Sequence, residues 1–396
     1  MNKESSSYRW VILLVAFLAC FLTSFCQFQA TAYAGDLMMK LNLTESQYTT
    51  IATAPMLIGV VLSLLAGGMG DKFGVKNVVF ISLIITTVGA LGRSFAGNYG
   101  MLLVCAVLMG MTGVVLNSNN PKLMMSWFSP SELSLAIGTV VASGNAGTVL
   151  AMLIGKSFSA DVSKAFLIGG IAFVAETVLW ILLIREKKIE MPEGAPAMPE
   201  VKIGDVLKCK EVWFAAIGAA FFMGVNMAAS ALLSPGLIGK GLSEGAASAV
   251  VIVFTLTALV GSILMPPVIG KSANTKITGA VLAVIAGITL FLGWKASGAA
   301  VRFILIAVSG LALGGLLPTL MSVPASLPEI GPAKMGVAGG VISTVMMAGA
   351  FILPSYVITA IAGGINDTAF LIAMICAFVI AAMFLILPNV STSKKA

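Results

Sequence analysis

The sequence predicts an all-α membrane protein, with twelve transmembrane helices folded as two pseudo-symmetric six-helix bundles. Three observations predict it. Apolar runs of about 20 residues, long enough to cross a bilayer as a helix, recur twelve times along the 396-residue chain. Charged residues make up only 10% of the sequence and hydrophobic ones 59%, whereas a soluble domain carries about 25% charged residues. Landmarks of the first half return in the second at offsets of 199 to 203 residues. A helix satisfies its own backbone hydrogen bonds inside hydrocarbon, which fixes the class as helical.

The expected spans are 10–34, 48–70, 77–95, 99–120, 134–155, 164–184, 212–234, 246–269, 276–294, 301–323, 335–357 and 367–387. The first contains Ala32-Tyr33-Ala34, which looks like a signal-peptidase site, but the apolar run Val11–Phe28 exceeds the roughly 7–15 residues of a cleaved signal and reads as a retained span. Thr44 with Gln47 forms a capping box ahead of the second span. Ser243 is the matching N-cap ahead of the eighth. The fourth span ends in Asn117, Asn119 and Asn120, and the fifth carries Asn145. Glu176 stands near the middle of the sixth and Arg302 at the outer start of the tenth. Asp36 and Arg93 lie close enough to the interface to snorkel. The proline-bearing stretch after Arg185 reads as a cytoplasmic linker, giving bundles 1–185 and 211–396 joined by 186–210.

Sidedness follows from charge. With both termini in the cytoplasm, 16 of the 23 Lys and Arg residues fall on the cytoplasmic side, as the positive-inside rule requires. The formal net charge of +7 therefore belongs to short loops and implies no nucleic-acid partner. The localisation expected is the cytoplasmic (inner) membrane, multi-pass.

The repeat aligns Trp10 with Trp213, Leu43-Thr44-Glu45 with Leu242-Ser243-Glu244, Gly70 with Gly270 and Gly110 with Gly310. The same register places Thr23, Gln27 and Thr31 on Asn226, Ser230 and Ser234. Residues spaced by four share a helical face, so each half carries one polar stripe. Duplicated bundles with substrate held near the midplane are a transporter architecture. The two stripes are the candidate substrate-binding residues that spacing supplies.

Between the second and third spans stands Gly67-Gly68-Met69-Gly70-Asp71-Lys72-Phe73-Gly74-Val75-Lys76. This resembles the signature loop of the Major Facilitator Superfamily, Gly-x-Leu-Ala-Asp-Arg-x-Gly-Arg-Lys, at Gly67, Asp71, Gly74 and Lys76, with Lys72 conservative and Val75 a departure. The resemblance implies that this loop gates the cycle, Asp71 facing the inner end of the eleventh span. Ala136-Ile137-Gly138 and Gly144-Asn145-Ala146-Gly147, with Gly349-Ala350-Phe351-Ile352-Leu353-Pro354 in the eleventh span, are similar to signatures of the nitrate/nitrite porter branch. Asn117, Asn119, Asn120 and Trp127-Phe128, around the end of the fourth span, resemble the same branch and its oxalate/formate-type relatives. The resemblance adds Asn117, Asn120, Asn145 and Arg302, the last on a helix that lines the cavity in that superfamily, to the candidate substrate-binding residues. That branch holds nitrate with arginines in the second and eighth spans; here those spans contain neither Arg nor Lys.

The function expected is secondary active transport of a small metabolite, an organic anion in first preference, by alternating access. The alternatives are efflux of drug-like amphiphiles, an inorganic-anion porter and, last, a non-transporting sensor. Glu176 is the candidate for coupling. With no His, five Cys and no CxxC, no metal site or cofactor is expected, and no nucleophile–base constellation points to an enzyme. The expected partners are the substrate, a coupling ion or exchanged anion, and the bilayer, with the chain a monomer.

Overall fold

The computed structural model describes residues 4–63, 65–128, 130–185, 206–272, 274–327 and 330–388, and all regular structure among them is helical. The helices in chain order are α1 (Glu4–Ala32), α2 (Ala34–Leu41), α3 (Glu45–Thr53), α4 (Pro55–Leu62), α5 (Ala66–Phe73), α6 (Val75–Gly92), α7 (Tyr99–Met125), α8 (Pro130–Ile154) and α9 (Val162–Leu183). They continue as α10 (Lys210–Gly239), α11 (Glu244–Lys271), α12 (Thr275–Lys295), α13 (Ala299–Gly314), α14 (Leu316–Ser322), α15 (Gly331–Ile352), α16 (Ala360–Ala362) and α17 (Asp367–Ile386). Two compact units form, Met1–Asn42 with Leu57–Ala197 and Leu43–Met56 with Met198–Ala396. Most of the expected linker, 186–205, lies outside the described residues.

Eleven uninterrupted segments among the described residues are long and apolar enough to cross a membrane. The span expected at 48–70 is instead three short helices, α3, α4 and α5. Pro55 brings no N–H to the helical ladder and interrupts it after Ala54. Thr49, Thr50 and Thr53 turn their hydroxyls back onto the carbonyls of Glu45, Ser46 and Thr49, and Ser63 does the same to Gly59. Such back-bonding weakens and bends a helix. Pro354 acts similarly late in the chain: α15 runs into a π-helix at Leu353–Thr359, where Thr359 Oγ1 donates to the Pro354 carbonyl at 2.7 Å.

In the first unit α1 packs chiefly on α8, and α6 packs between α7 and α9. In the second, α10 packs on α15 and α17, α11 on α13, and α12 on α17. The α1–α8 and α10–α15 contacts are built alike. A Cβ on Gly147 would strike the Phe21 carbonyl of α1, and one on Gly349 would strike the Ala220 carbonyl of α10. Lipid tails are as apolar as leucine, so close backbone approach over small residues replaces the hydrophobic drive between membrane helices. Large apolar side chains cover the outer faces, among them Ile81 and Val88 of α6 and Ile171 and Leu182 of α9.

The duplication is also written in side-chain contacts. In the first unit Lys40 Nζ, at the end of α2, donates to Ser163 Oγ at 2.7 Å and lies 4.0 Å from Asp161, the N-cap of α9. In the second unit Lys240 Nζ, just past α10, meets Asp367 Oδ1 at 3.1 Å at the start of α17. There Trp294 Nε1 also donates to Asp367 at 2.8 Å, and the Trp294 and Phe370 rings stack with centroids 4.0 Å apart. Each unit thus ties the segment after its first span to the start of its sixth by a Lys–Asp pair, the lysines 200 and the aspartates 206 residues apart. The Lys40, Asp161 and Asp367 side chains are about half exposed and Lys240 is 35% exposed. Each pair is therefore worth no more than about 1 kcal/mol; the correspondence matters more than the energy.

Both expected caps form. Gln47 N donates to Thr44 Oγ1 at 3.2 Å and Thr44 N to Gln47 Oε1 at 3.0 Å. Ala246 N donates to Ser243 Oγ at 3.4 Å. The five cysteines are unbridged.

Candidate functional site

In the first unit the polar stripe runs along α1. Thr23 and Thr31 are buried, and Gln27 is half-buried. Thr23 Oγ1 donates to Ala19 O at 2.8 Å, and its methyl faces Gly113 of α7. Gln27 Nε2 is enclosed and has no hydrogen-bond partner. An enclosed amide donor left open costs about 1–3 kcal/mol, so Gln27 is a donor kept without a structural partner. Ser24, one turn before it, and Cys20, two turns before it, face Gly144 of α8. Asn145 is half-buried beside that contact.

The other amide of α1, Gln29, does structural work the sequence reading missed. Arg93 is buried rather than snorkelling at the interface. Its Nη1 donates to the Cys26 carbonyl at 2.5 Å, its Nη2 to Gln29 Oε1 at 3.0 Å, and its guanidinium lies 4.0 Å from the Phe166 ring centroid. Gln29 Nε2 in turn donates to Ala165 O at 3.3 Å. Residues two positions apart on a helix differ by about 200° in direction. Gln29 therefore turns to α9 while Gln27 turns away from it, and that offset was the available signal.

At the end of α7 the three asparagines separate. Asn117 is exposed, Asn119 and Asn120 are buried. Asn119 Nδ2 donates to Ala66 O at 2.9 Å and to Val115 O at 2.8 Å. Its side chain fills the space a Cβ on Gly70 would need. The signature segment is thus the helix α5 clamped on α7 by Asn119, then Gly74 at φ 85, a value that favours glycine, opening α6. Lys72 is exposed, and the Lys76 carbonyl accepts from Trp180 Nε1 at 3.0 Å. The Asp71 side chain lies outside the described residues, as does any contact expected of it; Gly67 does likewise.

In the second unit Asn226 is half-buried on α10, with Ser230 and Ser234 buried beyond it. Thr344 Oγ1 on α15 is buried and unpartnered; it was not anticipated, since a lone threonine in an apolar run carries no periodic signal. Arg302 is buried, and its Nη2 donates to the Ala296 carbonyl in the loop ahead of α13. Both buried guanidinium groups, in separate units, therefore engage backbone carbonyls.

The second unit also holds a buried hydroxyl ladder where α3 meets the π-helix. Thr53 Oγ1 and Ser355 Oγ are 2.7 Å apart, and Thr359 Oγ1 donates to Thr49 Oγ1 at 3.3 Å. All four residues are fully buried. At the end of the ladder the Glu45 carboxylate accepts from the Ile365 N–H, beside Gly364 at φ 144. Glu45, Thr49 and Thr53 recur every four residues, as do Ser355 and Thr359. The spacing was visible in the sequence; the pairing of two stretches some 300 residues apart was not.

The family model described as Major Facilitator Superfamily matches residues 12–354. The chain is 28% identical over 171 residues to a nitrate/nitrite transporter, NrtP, of Nostoc punctiforme, covering 42% of this chain and 33% of that protein. It is 25% identical over 223 residues to a hexuronate transporter of Bacillus subtilis, covering 53% and 52%. It is 31% identical over 134 residues to a probable nitrate/nitrite antiporter, NarK1, of Thermus thermophilus, covering 33% and 29%. The matched stretches thus span about a third to a half of these relatives. Among solved structures, a bacterial homologue of the human lysosomal transporter Spinster, crystallised inward-facing and unoccupied, superposes with a TM-score of 0.75 at 16% identity, over 98% of this chain and 96% of that one. That likeness establishes the fold. With a family model matched over most of its length, a signature loop in place and a duplicated helical architecture, this chain belongs to the Major Facilitator Superfamily.

Proposed function

We propose that this protein is a secondary active transporter of a small hydroxylated organic anion of the hexuronate type, working by alternating access in the cytoplasmic membrane with both termini inside. The observation that carries the reading is Gln27, an enclosed amide donor with no internal partner on the helix that bears the polar stripe. A stripe of Thr, Gln, Asn and Ser suits a ligand rich in hydroxyls, because each of these side chains can donate and accept. The similarity to hexuronate transporters supports that class. Asn117, Asn120, Asn145, Ser230 and Ser234 are the accompanying candidates on the helices of each unit.

A nitrate-like substrate is the second reading, favoured by the resemblance to two nitrate/nitrite carriers. Against it, the second and eighth spans carry no Arg or Lys, and Arg93 and Arg302 both donate to internal carbonyls. A bare inorganic anion would have no free guanidinium among the candidates to meet it.

Gln27→Ala and Asn226→Ala, each alone, are expected to lower glucuronate uptake per folded molecule by about 10- to 100-fold, the loss of one or two hydrogen bonds to a charged ligand. Both variants should keep a wild-type melting temperature in detergent to within about 2 °C, since neither side chain supports the fold. Wild-type uptake by both would refute the site. A rise in melting temperature with nitrate and none with glucuronate would favour the second reading.

A further inference from the structure

Glu176 is the one carboxylate enclosed within a long apolar helix among the described residues. It lies on the inward stripe of α9, between Phe173 and Trp180, and is 1% exposed. Neither carboxyl oxygen has a hydrogen-bond partner. The neighbouring contacts fix its depth. Gly169 meets Cys26 of α1, and the Leu183 carbonyl accepts from Tyr8 of the same helix. Glu176 is seven residues from each, about 10 Å along the helix in either direction. At that level α1 offers Ala16 and Ala19, both fully buried, and α6 on the other side is held through Thr87, which pairs with Thr177 at 3.1 Å.

The groups that could compensate a charge lie elsewhere. On α1 the titratable residues are Tyr8 and Arg9 near the inner end and the thiols Cys20 and Cys26 further along, with Glu4 at its first position, whose side chain lies outside the described residues. Arg9 lies over the Trp10 and Phe128 rings. On α6 it is Lys76 at the start, and in the following turn Arg93, which engages Cys26 and Gln29 at the level of Gly169. On α9 itself there is Lys164, with Arg185 beyond its end over the Tyr8 ring. The Lys156 side chain, in the turn before α9, lies outside the described residues. Among the described residues no cation and no hydrogen-bond donor is placed on the carboxyl.

A carboxyl at such a position contributes nothing to packing that Leu or Met would not supply better. Ionisable groups inside membrane spans are by default functional, and a buried polar group left unsatisfied needs a reason. We propose that Glu176 is the proton-carrying site of the transport cycle: it holds a proton as the neutral acid in the arrangement seen here and gives it up when α9 and α1 part enough to hydrate it. The O–H bond of the carboxylic acid breaks, the proton passes to water, and the carboxylate is reprotonated from the opposite compartment. Carried inward with an organic anion, that proton makes the step electroneutral. The inference deepens the proposed function by naming the coupling ion, and rests on it for the transport arm alone.

The test has two arms. In reconstituted wild-type protein, an infrared titration should show a protonated-carboxyl band that disappears on alkalinisation and is missing in Glu176→Gln; this needs no substrate. In vesicles, a one-unit inward pH gradient coupled one proton per substrate allows about tenfold accumulation of labelled glucuronate. Glu176→Gln should lose that accumulation yet keep exchange of labelled for unlabelled glucuronate within about twofold of wild type. Glu176→Asp, which keeps the acid, should retain part of the accumulation and guards against a folding defect in the Gln variant. An unchanged band in Glu176→Gln, no titrating band in the wild type, or gradient-driven accumulation by Glu176→Gln would overturn the proposal. Failure of the substrate site would instead show as normal uptake by Gln27→Ala with the infrared result unaffected.

Discussion

Thr53→Cys with Ser355→Cys should arrest transport when oxidised and release it when reduced. The two hydroxyl oxygens are 2.7 Å apart in a fully buried ladder, so the side chains already point at one another, the condition a disulfide demands. Helix α3 is covalently continuous with α4 and α5, which lead into the signature segment, yet it is docked on the π-helix of the other half of the sequence. The proposed alternation predicts that this docking opens once per cycle. Its contacts are hydroxyl–hydroxyl bonds and one carboxylate on a backbone N–H, each worth about 0.5–3 kcal/mol and each replaceable by water. A covalent link is not replaceable. Uptake in the oxidised double variant is expected to fall at least tenfold and to recover on reduction, while either single variant stays near wild type; a free-energy cost of opening above about 1.4 kcal/mol already gives that factor. Oxidised protein that transports at the wild-type rate would show that the ladder stays closed throughout the cycle.

The second large effect concerns the glycines of the two resembling signatures. Gly147→Ala and Gly349→Ala should each destabilise the protein by about 1–3 kcal/mol, the usual cost of overfilling a packed contact. At Gly147 the added methyl meets the Phe21 carbonyl and approaches the Phe25 N–H; at Gly349 it meets the Ala220 backbone. Backbone cannot swing aside as a flexible side chain can, so the helices themselves must separate. Gly138, in the same helix as Gly147, provides the comparison: nothing stands within 4 Å of a Cβ built there. Gly138→Ala should be neutral or slightly stabilising, since alanine favours the helix by up to about 1 kcal/mol. The check is thermal unfolding in detergent together with uptake. Equal melting temperatures for Gly147→Ala and Gly138→Ala would remove the packing role assigned to the signature.

Much of this architecture was legible because it follows from local rules. Apolar length located the spans, the Thr44–Gln47 and Ser243 caps formed where their residue types placed them, and the repeat found in Trp10/Trp213 and Gly110/Gly310 reappears as the Lys40–Asp161 and Lys240–Asp367 pairs. What escaped was set by partners distant in sequence. The run 48–70 is apolar enough to read as one helix, but Pro55 and the back-bonding of Thr49, Thr53 and Ser63 divide it. Arg93 stands near a span end, where snorkelling is the simplest expectation; only the Gln29 amide, the Cys26 carbonyl and the Phe166 face explain its burial. The Asn119 side chain, grouped by sequence with Asn117 and Asn120, turned out to hold the signature helix through Ala66. Side-chain direction about a helix axis, not residue type, separates these roles, and it is the quantity a single sequence specifies least.

Solute counterflow is the most direct test of a carrier that alternates. Vesicles containing the purified protein, loaded with unlabelled glucuronate and diluted into a trace of labelled glucuronate without ATP, should accumulate label transiently above its equilibrium level and then lose it, because returning carriers exchange one molecule for another. Label that enters preloaded and empty vesicles alike, at the rate of protein-free vesicles, would contradict the account at its centre.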